Sequence, residues 1–394
     1  MILDQIAWSD CFVFLLFLAP QLIVHVGLLA TAACALRALP HLLIVMPYQL
    51  VRERYFVPLS AKSPFVQHCT LFQDIVIRCV RYAFAFIPAS IGKVFFSKNV
   101  SLPFFRFRML RNGLWKCPIY WRETDSPKGL YMIWDETRRP DVVVYYCHGG
   151  GFSMGSAYFY IEFLLAWVSL LKTEGGFSNP ALFALEYTLV PEATYPTQVQ
   201  EALAGYKYCL EIAGGAPEKI CVSGDSAGAT LILSLLLCLS DYANMRSKLP
   251  ALAIPISPWA TIISEKNQNT PSDYLNAESL HLYGSQYIGT KASSTDALVS
   301  PGSCKDKAWW RRASPSKGWF FVYGAEEVFA PEAKEMIAML RQIDVKVEEH
   351  EEGGWIHAWP VVKLFLCNGS RERLGGLRAM VSMMTTKMAA VKGT

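Results

Sequence analysis

One ten-residue stretch near the middle of the chain constrains the fold most strongly. Residues 220–223 are apolar, small or β-branched and predict a buried strand, and residues 230–239 form an apolar run that predicts a helix. Between them lies the motif Gly-x-Ser-x-Gly, with Ser226 at its centre. A strand, a tight turn and a helix in this order form a nucleophile elbow, in which a strained turn presents the serine hydroxyl.

The residues around Ser226 fit this interpretation. Gly224 and Gly228 carry no side chain, so strand and helix can approach each other closely. The helix that follows offers free amide groups, including that of Ala227, and the positive end of its dipole. Asp225 is expected to be structural. Because an isolated Gly-x-Ser-x-Gly also occurs in ordinary turns, the functional interpretation depends on partner motifs elsewhere in the chain.

The first partner is a glycine-rich loop upstream. An apolar run that predicts a buried strand leads directly into His148, Gly149, Gly150 and Gly151. Acyl transfer requires hydrogen-bond donors aimed at the tetrahedral oxygen, and backbone amides supply them without reorganisation. We expect the amides of Gly149, Gly150 and Ala227 to form this oxyanion hole. His148 and Gly151 are expected to shape the loop; the alternative is a flexible glycine loop without a role.

The second partner is a histidine late in the chain. His357 follows a Gly-Gly turn, where the chain order serine, acid, histidine places a general base. Of the seven histidines, His25 and His41 lie in the apolar N-terminal region, and the others besides His148 have no motif around them. A lone histidine is by default a surface or core residue, but here the elbow and the glycine loop favour His357 as the base.

Taken together, residues 148–152 and 224–228 resemble the hormone-sensitive-lipase-type branch of the α/β-hydrolases. Residues 185–196 are similar to a further conserved segment of that family, and His357 with Trp359 and Pro360 resembles fungal members related to steryl acetyl hydrolases. The resemblance covers roughly residues 111–362. It implies an α/β fold, with a mostly parallel sheet, helices on both faces and a helical cap.

The resemblance leaves the third catalytic residue open. The family pattern places an aspartate in the loop after the strand predicted at residues 318–322, but this chain has Gly324, Ala325, Glu326 and Glu327 there. By register Glu326 takes the acid position, and Glu327 is the second choice. The alternative is that both are solvated loop acids.

The first hundred residues lie outside the resemblance. Residues 11–36 contain no charge, and at about 1.5 Å per residue they are long enough to cross a bilayer core of roughly 30 Å. Residues 39–51 are too short to cross alone and suit the membrane interface. We therefore divide the chain into an apolar membrane segment at 1–54, a helical cap at 55–110 and a catalytic domain at 111–394. The alternative for the first segment is a buried helix that covers the cleft.

The expected location is a membrane, with the endoplasmic reticulum favoured. The arginines that follow the apolar run place the catalytic domain in the cytosol by the positive-inside rule. The glycosylation sequons at Asn99 and Asn368 are relevant only in the lumen, which the family resemblance also favours. The side of the membrane therefore stays open.

The sequence as a whole predicts a serine carboxylester hydrolase for a hydrophobic ester, such as an acetylated sterol, terpenoid or polyketide. Ser226 attacks, His357 is the base and Glu326 orients it. The alternatives are an acyl transferase or hydrolase of fungal secondary metabolism, and a non-catalytic ligand-binding protein of the same fold. No metal or organic cofactor is implied. A net charge of +4 without a basic cluster argues against nucleic acid as a partner.

Overall fold

A computed structural model describes residues 2–389 of the chain, so residue 1 of the predicted membrane segment and residues 390–394 of the predicted catalytic domain lie outside the described residues. Its centre is one sheet of eight strands. The strands are β1 (Tyr120–Asp125), β2 (Lys128–Ile133), β3 (Val142–Cys147), β4 (Pro180–Leu185), β5 (Ile220–Asp225), β6 (Leu252–Ile256), β7 (Trp319–Gly324) and β8 (Val347–Glu352).

The strands follow the spatial order β1-β2-β4-β3-β5-β6-β7-β8. The first two pairings, β1 with β2 and β2 with β4, are antiparallel, and all later neighbours are parallel. In such a sheet the carboxyl ends of the parallel strands meet at one edge. The elbow after β5, the glycine loop after β3 and the loops after β6 and β7 therefore come together there, as the sequence predicted for an α/β-hydrolase.

Helices cover both faces of the sheet. In chain order they are α1 (Trp8–His25), α2 (Leu28–Pro40), α3 (Met46–Val51), α4 (Pro64–His68), α5 (Leu71–Phe86), α6 (Ala89–Phe95), α7 (Lys98–Arg111), α8 (Ile161–Thr173), α9 (Thr197–Ile212), α10 (Ala227–Asp241), α11 (Ala277–Ile288), α12 (Lys307–Ala313), α13 (Ala330–Arg341), α14 (Trp359–Leu366), α15 (Ser370–Arg373) and α16 (Gly375–Met388). Two large apolar clusters result, one on each face of the sheet.

Helix α11 lies in residues 266–289, a stretch whose polar composition predicts an irregular loop or cap insertion. The helix begins after Asn276, whose side chain accepts a hydrogen bond from the Ser279 amide at 2.9 Å. It packs through Leu280, Tyr283 and Tyr287, which are all buried. Tertiary packing of these side chains stabilises a helix that the local polarity did not suggest.

The N-terminal region differs from the single crossing helix predicted over residues 11–36. Helix α1 ends at His25, and α2 begins at Leu28 after Gly27, whose φ of 95° turns the chain. One π-helical turn, His41–Val45, joins α2 to α3, and a second, Arg52–Phe56, extends α3, so that Leu28–Phe56 is one continuous stretch. The piece predicted to be short and interfacial, residues 39–51, is therefore part of a longer helix. Both α1 and Leu28–Phe56 are long and apolar enough to cross a membrane by length and composition alone.

A buried ionic cluster fastens α1 to the rest of the molecule. Arg108 is fully buried and pairs with Asp10 of α1 at 3.1 Å and with Glu162 of α8 at 3.0 Å. Arg373 lies 3.9 Å from Glu162 and also donates to the Leu3 carbonyl at 2.9 Å. We call Asp10, Arg108, Glu162 and Arg373 the Arg108 cluster. It joins four helices that are far apart in the sequence.

Replacing Arg108 tests how much this cluster contributes. Arg108→Met keeps most of the side-chain volume but removes the cation that Asp10 and Glu162 share, which leaves Asp10 with Arg111 at 2.7 Å and Glu162 with Arg373 at 3.9 Å. Removing one partner of a buried ion pair costs about 3–5 kcal/mol, and we expect a loss towards the lower end of that range in the free energy of unfolding, measured by urea denaturation, because each carboxylate keeps one cation. Arg378→Met, which breaks a half-exposed pair with Glu174, is the control and should change stability little. Equal effects of the two changes would contradict the role of the cluster.

Candidate active site

The elbow has the strained geometry that the motif predicts. Ser226 has φ 54° and ψ −121°, a region that side chains other than glycine rarely adopt, and it stands directly before α10. Its amide donates to the Ile256 carbonyl at 3.0 Å, which anchors the turn to β6. A Cβ atom on Gly228 would lie 2.0 Å from the Cys147 carbonyl oxygen, so only glycine allows α10 to pack this closely on β3.

The glycine loop corrects one part of the predicted oxyanion hole. The Gly149 amide donates to the Asp225 carboxylate at 2.8 Å, so it is not available to a substrate oxygen. The amides of Gly150, Gly151 and Ala227 donate to no protein group between residues 2 and 389. Of the three amides predicted to form the oxyanion hole, those of Gly150 and Ala227 are therefore available to a substrate oxygen. The Gly151 amide is available as well, and we assign it the position predicted for the Gly149 amide.

Asp225 holds the elbow and the glycine loop together. Besides the Gly149 amide, its carboxylate accepts the hydroxyl groups of Tyr146 at 2.6 Å and Tyr160 at 2.7 Å. Burial raises the pKa of Asp225 to about 6, although the three donors favour the ionised form. Its partners are one loop amide and two tyrosine hydroxyls, and through them it joins the elbow to the loop.

His148 also shapes the loop. Its Nδ1 lies 2.7 Å from the Gly149 carbonyl, and its ring stacks on Tyr187 with the centroids 4.3 Å apart. Burial lowers the pKa of His148 to about 4, so the ring is neutral at neutral pH. A neutral, stacked imidazole bonded to its own loop is a packing element.

His357 has a carboxylate beside its ring. Its Nδ1 lies 3.9 Å from Glu327 Oε2, and both side chains are buried. The rings of Tyr274 and Phe329 pack edge-on against the imidazole, with centroids 5.8 and 5.2 Å away. This apolar enclosure lowers the pKa of His357 to about 3 and raises that of Glu327 well above its usual value.

The expectation that Glu326 faces His357 is corrected by this arrangement. After β7 the chain makes a tight turn in which the Gly324 amide donates to Glu327 Oε2 at 3.1 Å, so Glu327 folds back over the end of the strand. The Glu326 side chain points instead towards Ser272, with Oε2 at 3.5 Å from the hydroxyl, and its amide donates to the Trp355 carbonyl at 2.9 Å. Glu327, the second choice from the sequence, is the carboxylate that lies beside the His357 ring.

Ser257, which the sequence analysis did not single out, connects acid and base. Its hydroxyl donates to Glu327 Oε2 at 2.6 Å and accepts the Ala358 amide at 2.9 Å. Ser257 has φ 44°, a second strained position at the carboxyl edge of the sheet. One hydroxyl group therefore orients the carboxylate and fixes the residue after His357.

Comparison with known proteins agrees with this geometry. A family model described as the α/β-hydrolase fold matches residues 144–361, which contain the glycine loop, the elbow, Glu327 and His357. The chain belongs to the α/β-hydrolase fold family. Among solved structures, an esterase from the bacterial hormone-sensitive lipase family is similar with a TM-score of 0.63 and 20% identity, over 82% of this chain and 99% of that one.

Curated relatives of this α/β-hydrolase are named as hydrolases of esters. A putative steryl acetyl hydrolase of Schizosaccharomyces pombe is 26% identical over 61% of this chain and 67% of its own length. An acetyl-hydrolase of Streptomyces hygroscopicus is 35% identical over 32% of this chain, and the match spans only 38% of that protein. The chain therefore spans about two thirds of one of these relatives and little more than a third of the other.

Another buried carboxylate in this α/β-hydrolase, which the sequence analysis also did not single out, binds backbone amides next to Glu327 and at His357. Asp273 accepts backbone amides from Tyr274 at 2.8 Å, Val328 at 2.9 Å and His357 at 3.2 Å. It therefore joins the residue after Glu327 to the base itself. Burial raises its pKa to about 6. Because Asp273 lies in the stretch predicted to be irregular, no pattern in a single sequence marked it.

Helix α5 closes over this region. Arg81 donates to the carbonyls of Asp273 at 2.9 Å and Ser272 at 2.8 Å, and Phe84 packs on Tyr274 with ring centroids 5.4 Å apart. Beside these contacts is a cavity of about 390 Å³ between Leu28–Phe56, α5 and the 269–276 loop, with Asp273 in its wall. We call it the Asp273 cavity.

Removing the Asp273 carboxylate tests its anchoring role. Asp273→Ala leaves the amides of Val328 and His357 without acceptors, so we expect the free energy of unfolding to fall by at least about 2 kcal/mol. The rate of p-nitrophenyl acetate hydrolysis per folded molecule should fall as well, because acid and base lose a common support. Asp241→Ala, at the exposed end of α10, is the matched control. Unchanged stability and rate in Asp273→Ala would contradict this interpretation.

Proposed function

We propose that this α/β-hydrolase is a serine carboxylester hydrolase that works through an acyl-enzyme. The observation that carries the proposal is the strained Ser226 elbow at the same sheet edge as the buried His357–Glu327 pair. Ser226 Oγ attacks the ester carbonyl carbon while His357 accepts the hydroxyl proton. The amides of Gly150, Gly151 and Ala227 hold the oxyanion, and collapse of the intermediate expels the alcohol, which takes the proton from His357. Water then hydrolyses the acyl-enzyme by the same route.

The electrostatics support His357 as the base and Glu327 as the acid. Burial keeps the imidazole neutral in the resting enzyme, so it can accept a proton. Once protonated, it forms an attractive pair with the Glu327 carboxylate, whose position is fixed by Ser257 and the Gly324 amide. The Glu327 carboxylate therefore stabilises a positive charge on His357 that exists only during the reaction. Stabilisation that is stronger in the transition state than in the resting enzyme is what accelerates the reaction.

The proposed substrate is a hydrophobic ester, with an acetylated sterol or a comparable ring system as the first candidate. The side chains next to the base are aromatic, namely Tyr274, Phe329 and, through Tyr274, Phe84 of α5. The curated relatives named as acetyl and steryl acetyl hydrolases support an acetyl group on an apolar alcohol. We further propose that helices α4 to α7 act as the cap over this site.

We also propose that the enzyme works at a membrane, in the endoplasmic reticulum. Support comes from α1 and Leu28–Phe56, which are apolar over lengths sufficient for a bilayer. Both sequons, Asn99 and Asn368, are exposed. Glycan attachment at either would place the catalytic domain in the lumen, and the absence of glycans on both would favour the cytosolic side.

The first prediction concerns the nucleophile. Ser226→Ala removes the group proposed to form the acyl-enzyme, so hydrolysis of p-nitrophenyl esters from acetate to laurate should fall to background. A fluorophosphonate probe should label the wild-type protein and not the variant. Ser223→Ala, three residues earlier on β5, is the control and should still be labelled. Persistent labelling of Ser226→Ala would refute the assignment.

The second prediction separates the two adjacent glutamates. Glu327→Gln removes the charge beside His357 and should lower kcat by several orders of magnitude, on the order of 10⁴ as in other triads. Glu326→Gln should retain activity close to wild type, because that side chain is directed towards Ser272. Steady-state kinetics on p-nitrophenyl acetate, with folding checked by circular dichroism, decides between them. The reverse order of effects would restore Glu326 as the acid.

A further inference from the structure

The two N-terminal helices each present an apolar face to the outside. On α1 this face includes Phe12 and Leu16, and on Leu28–Phe56 it includes Leu29, Leu36, Leu43 and Phe56. Leu29, Leu36 and Leu43 follow one another at intervals of about two turns and are 86, 65 and 69% exposed. A soluble surface rarely leaves such large side chains in a continuous row, so another apolar phase is needed to cover them.

Residues 37–54 of the second helix are fastened to α5 by contacts at both ends of that stretch. The Arg37 carbonyl accepts the Tyr82 hydroxyl at 3.4 Å, and the His41 ring stacks on Tyr82 at 4.3 Å. Near the other end, Arg54 pairs with Asp74 at 3.2 Å. Arg37 and Arg54 are 17 residues apart (54 − 37), which is about 25 Å of helix axis.

Helix α1 is fastened in the same manner. Asp10 enters the Arg108 cluster near its beginning, and Phe14 packs against Phe95 and Phe104 with ring centroids 4.7 and 5.1 Å away. Leu18, one turn further on, is buried against α6 and α7. Helix α1 therefore lies along the protein body, and residues 37–54 of the second helix lie along α5.

This arrangement is incompatible with a crossing helix. If Leu28–Phe56 crossed the bilayer while docked, the ionised side chains of Asp74, Arg78 and Arg81 on α5 would be carried to the depth of the hydrocarbon, where charged groups are costly. If it crossed after undocking, the contacts of Arg54 and Glu53 with α5 would be lost. If the helix lies flat in the membrane surface, its exposed apolar face contacts lipid while its other side keeps its contacts with α5.

The composition of the exposed face indicates lipid as its partner, and not a second protein surface. No charged residue occurs between residues 11 and 36, and Arg37 is the only one from there to residue 51. The end of the second helix carries exposed Tyr48 and Tyr55 beside exposed Arg52. Aromatic and cationic residues at the margin of an apolar surface are typical of the lipid headgroup layer.

We propose that α1 and Leu28–Phe56 lie in the plane of one lipid leaflet, with the exposed apolar face in the hydrocarbon and the catalytic body on the other face, and do not cross the bilayer. This inference rests on the membrane association proposed above. It specifies the mode of that association, and it makes the protein accessible from one side of the membrane only.

Depth measurements with spin labels test the proposal on the full-length protein. Single cysteines replace Leu29, Leu36 and Leu43, one at a time, after the partly buried Cys11, Cys34, Cys79 and Cys117 are changed to alanine. The labelled proteins are bound to vesicles of phosphatidylcholine with a minor fraction of phosphatidylserine. Paramagnetic resonance then compares collisions with oxygen and with a polar nickel complex, and the ratio reports depth. Tyr242→Cys, exposed on the body, is the aqueous control.

We expect equal depths within one leaflet at the three sites and water exposure at Tyr242→Cys. Depths that change by about 10 Å from one site to the next, as seven helical residues would give across a bilayer, would overturn the proposal. Labels shielded from both reagents and broadened by a neighbouring copy would assign the face to a dimer and also overturn it. If the protein does not bind vesicles and all labels face water, the membrane association itself fails, while the esterase assignment is unaffected.

Discussion

The close packing of the elbow against the glycine loop is the constraint on which the rest of the site depends. Gly228 brings α10 against the end of β3, and Asp225 then binds the Gly149 amide from one residue before Ser226. This bond removes Gly149 from the oxyanion hole, but it fixes the loop so that the next two amides are free. The strained serine and the amides opposite it are therefore positioned by one buried carboxylate.

The sequence predicted the parts of this protein that local patterns determine. The central strands, the elbow and the glycine loop are each marked by apolar runs or by glycines with a steric reason, and the structure contains them. The choice between Glu326 and Glu327 depended on how sharply the chain turns after Gly324, and local composition does not determine this. Asp273 and Ser257 act through backbone amides of residues distant in the sequence, so no spacing could reveal them.

The N-terminal region shows a different limit of sequence analysis. Its apolar composition predicted a crossing segment, but composition does not record where a helix touches the rest of the molecule. Gly27 breaks the run in two, and ion pairs at Asp10 and Arg54 fasten the pieces to the body. The Asp273 cavity lies under the second helix, so the same docking also forms one wall of the space behind the base.

The Arg108 cluster has a consequence for the order in which the protein is made. Asp10 is synthesised early, but its cluster is complete only when Glu162 and finally Arg373 have left the ribosome. At about 5–20 residues per second, the interval between Asp10 and Arg373 is tens of seconds. Throughout that interval the two apolar helices have no finished body to pack against. A nascent chain of this design must keep its most apolar segment on a chaperone or a membrane until its last helices are translated.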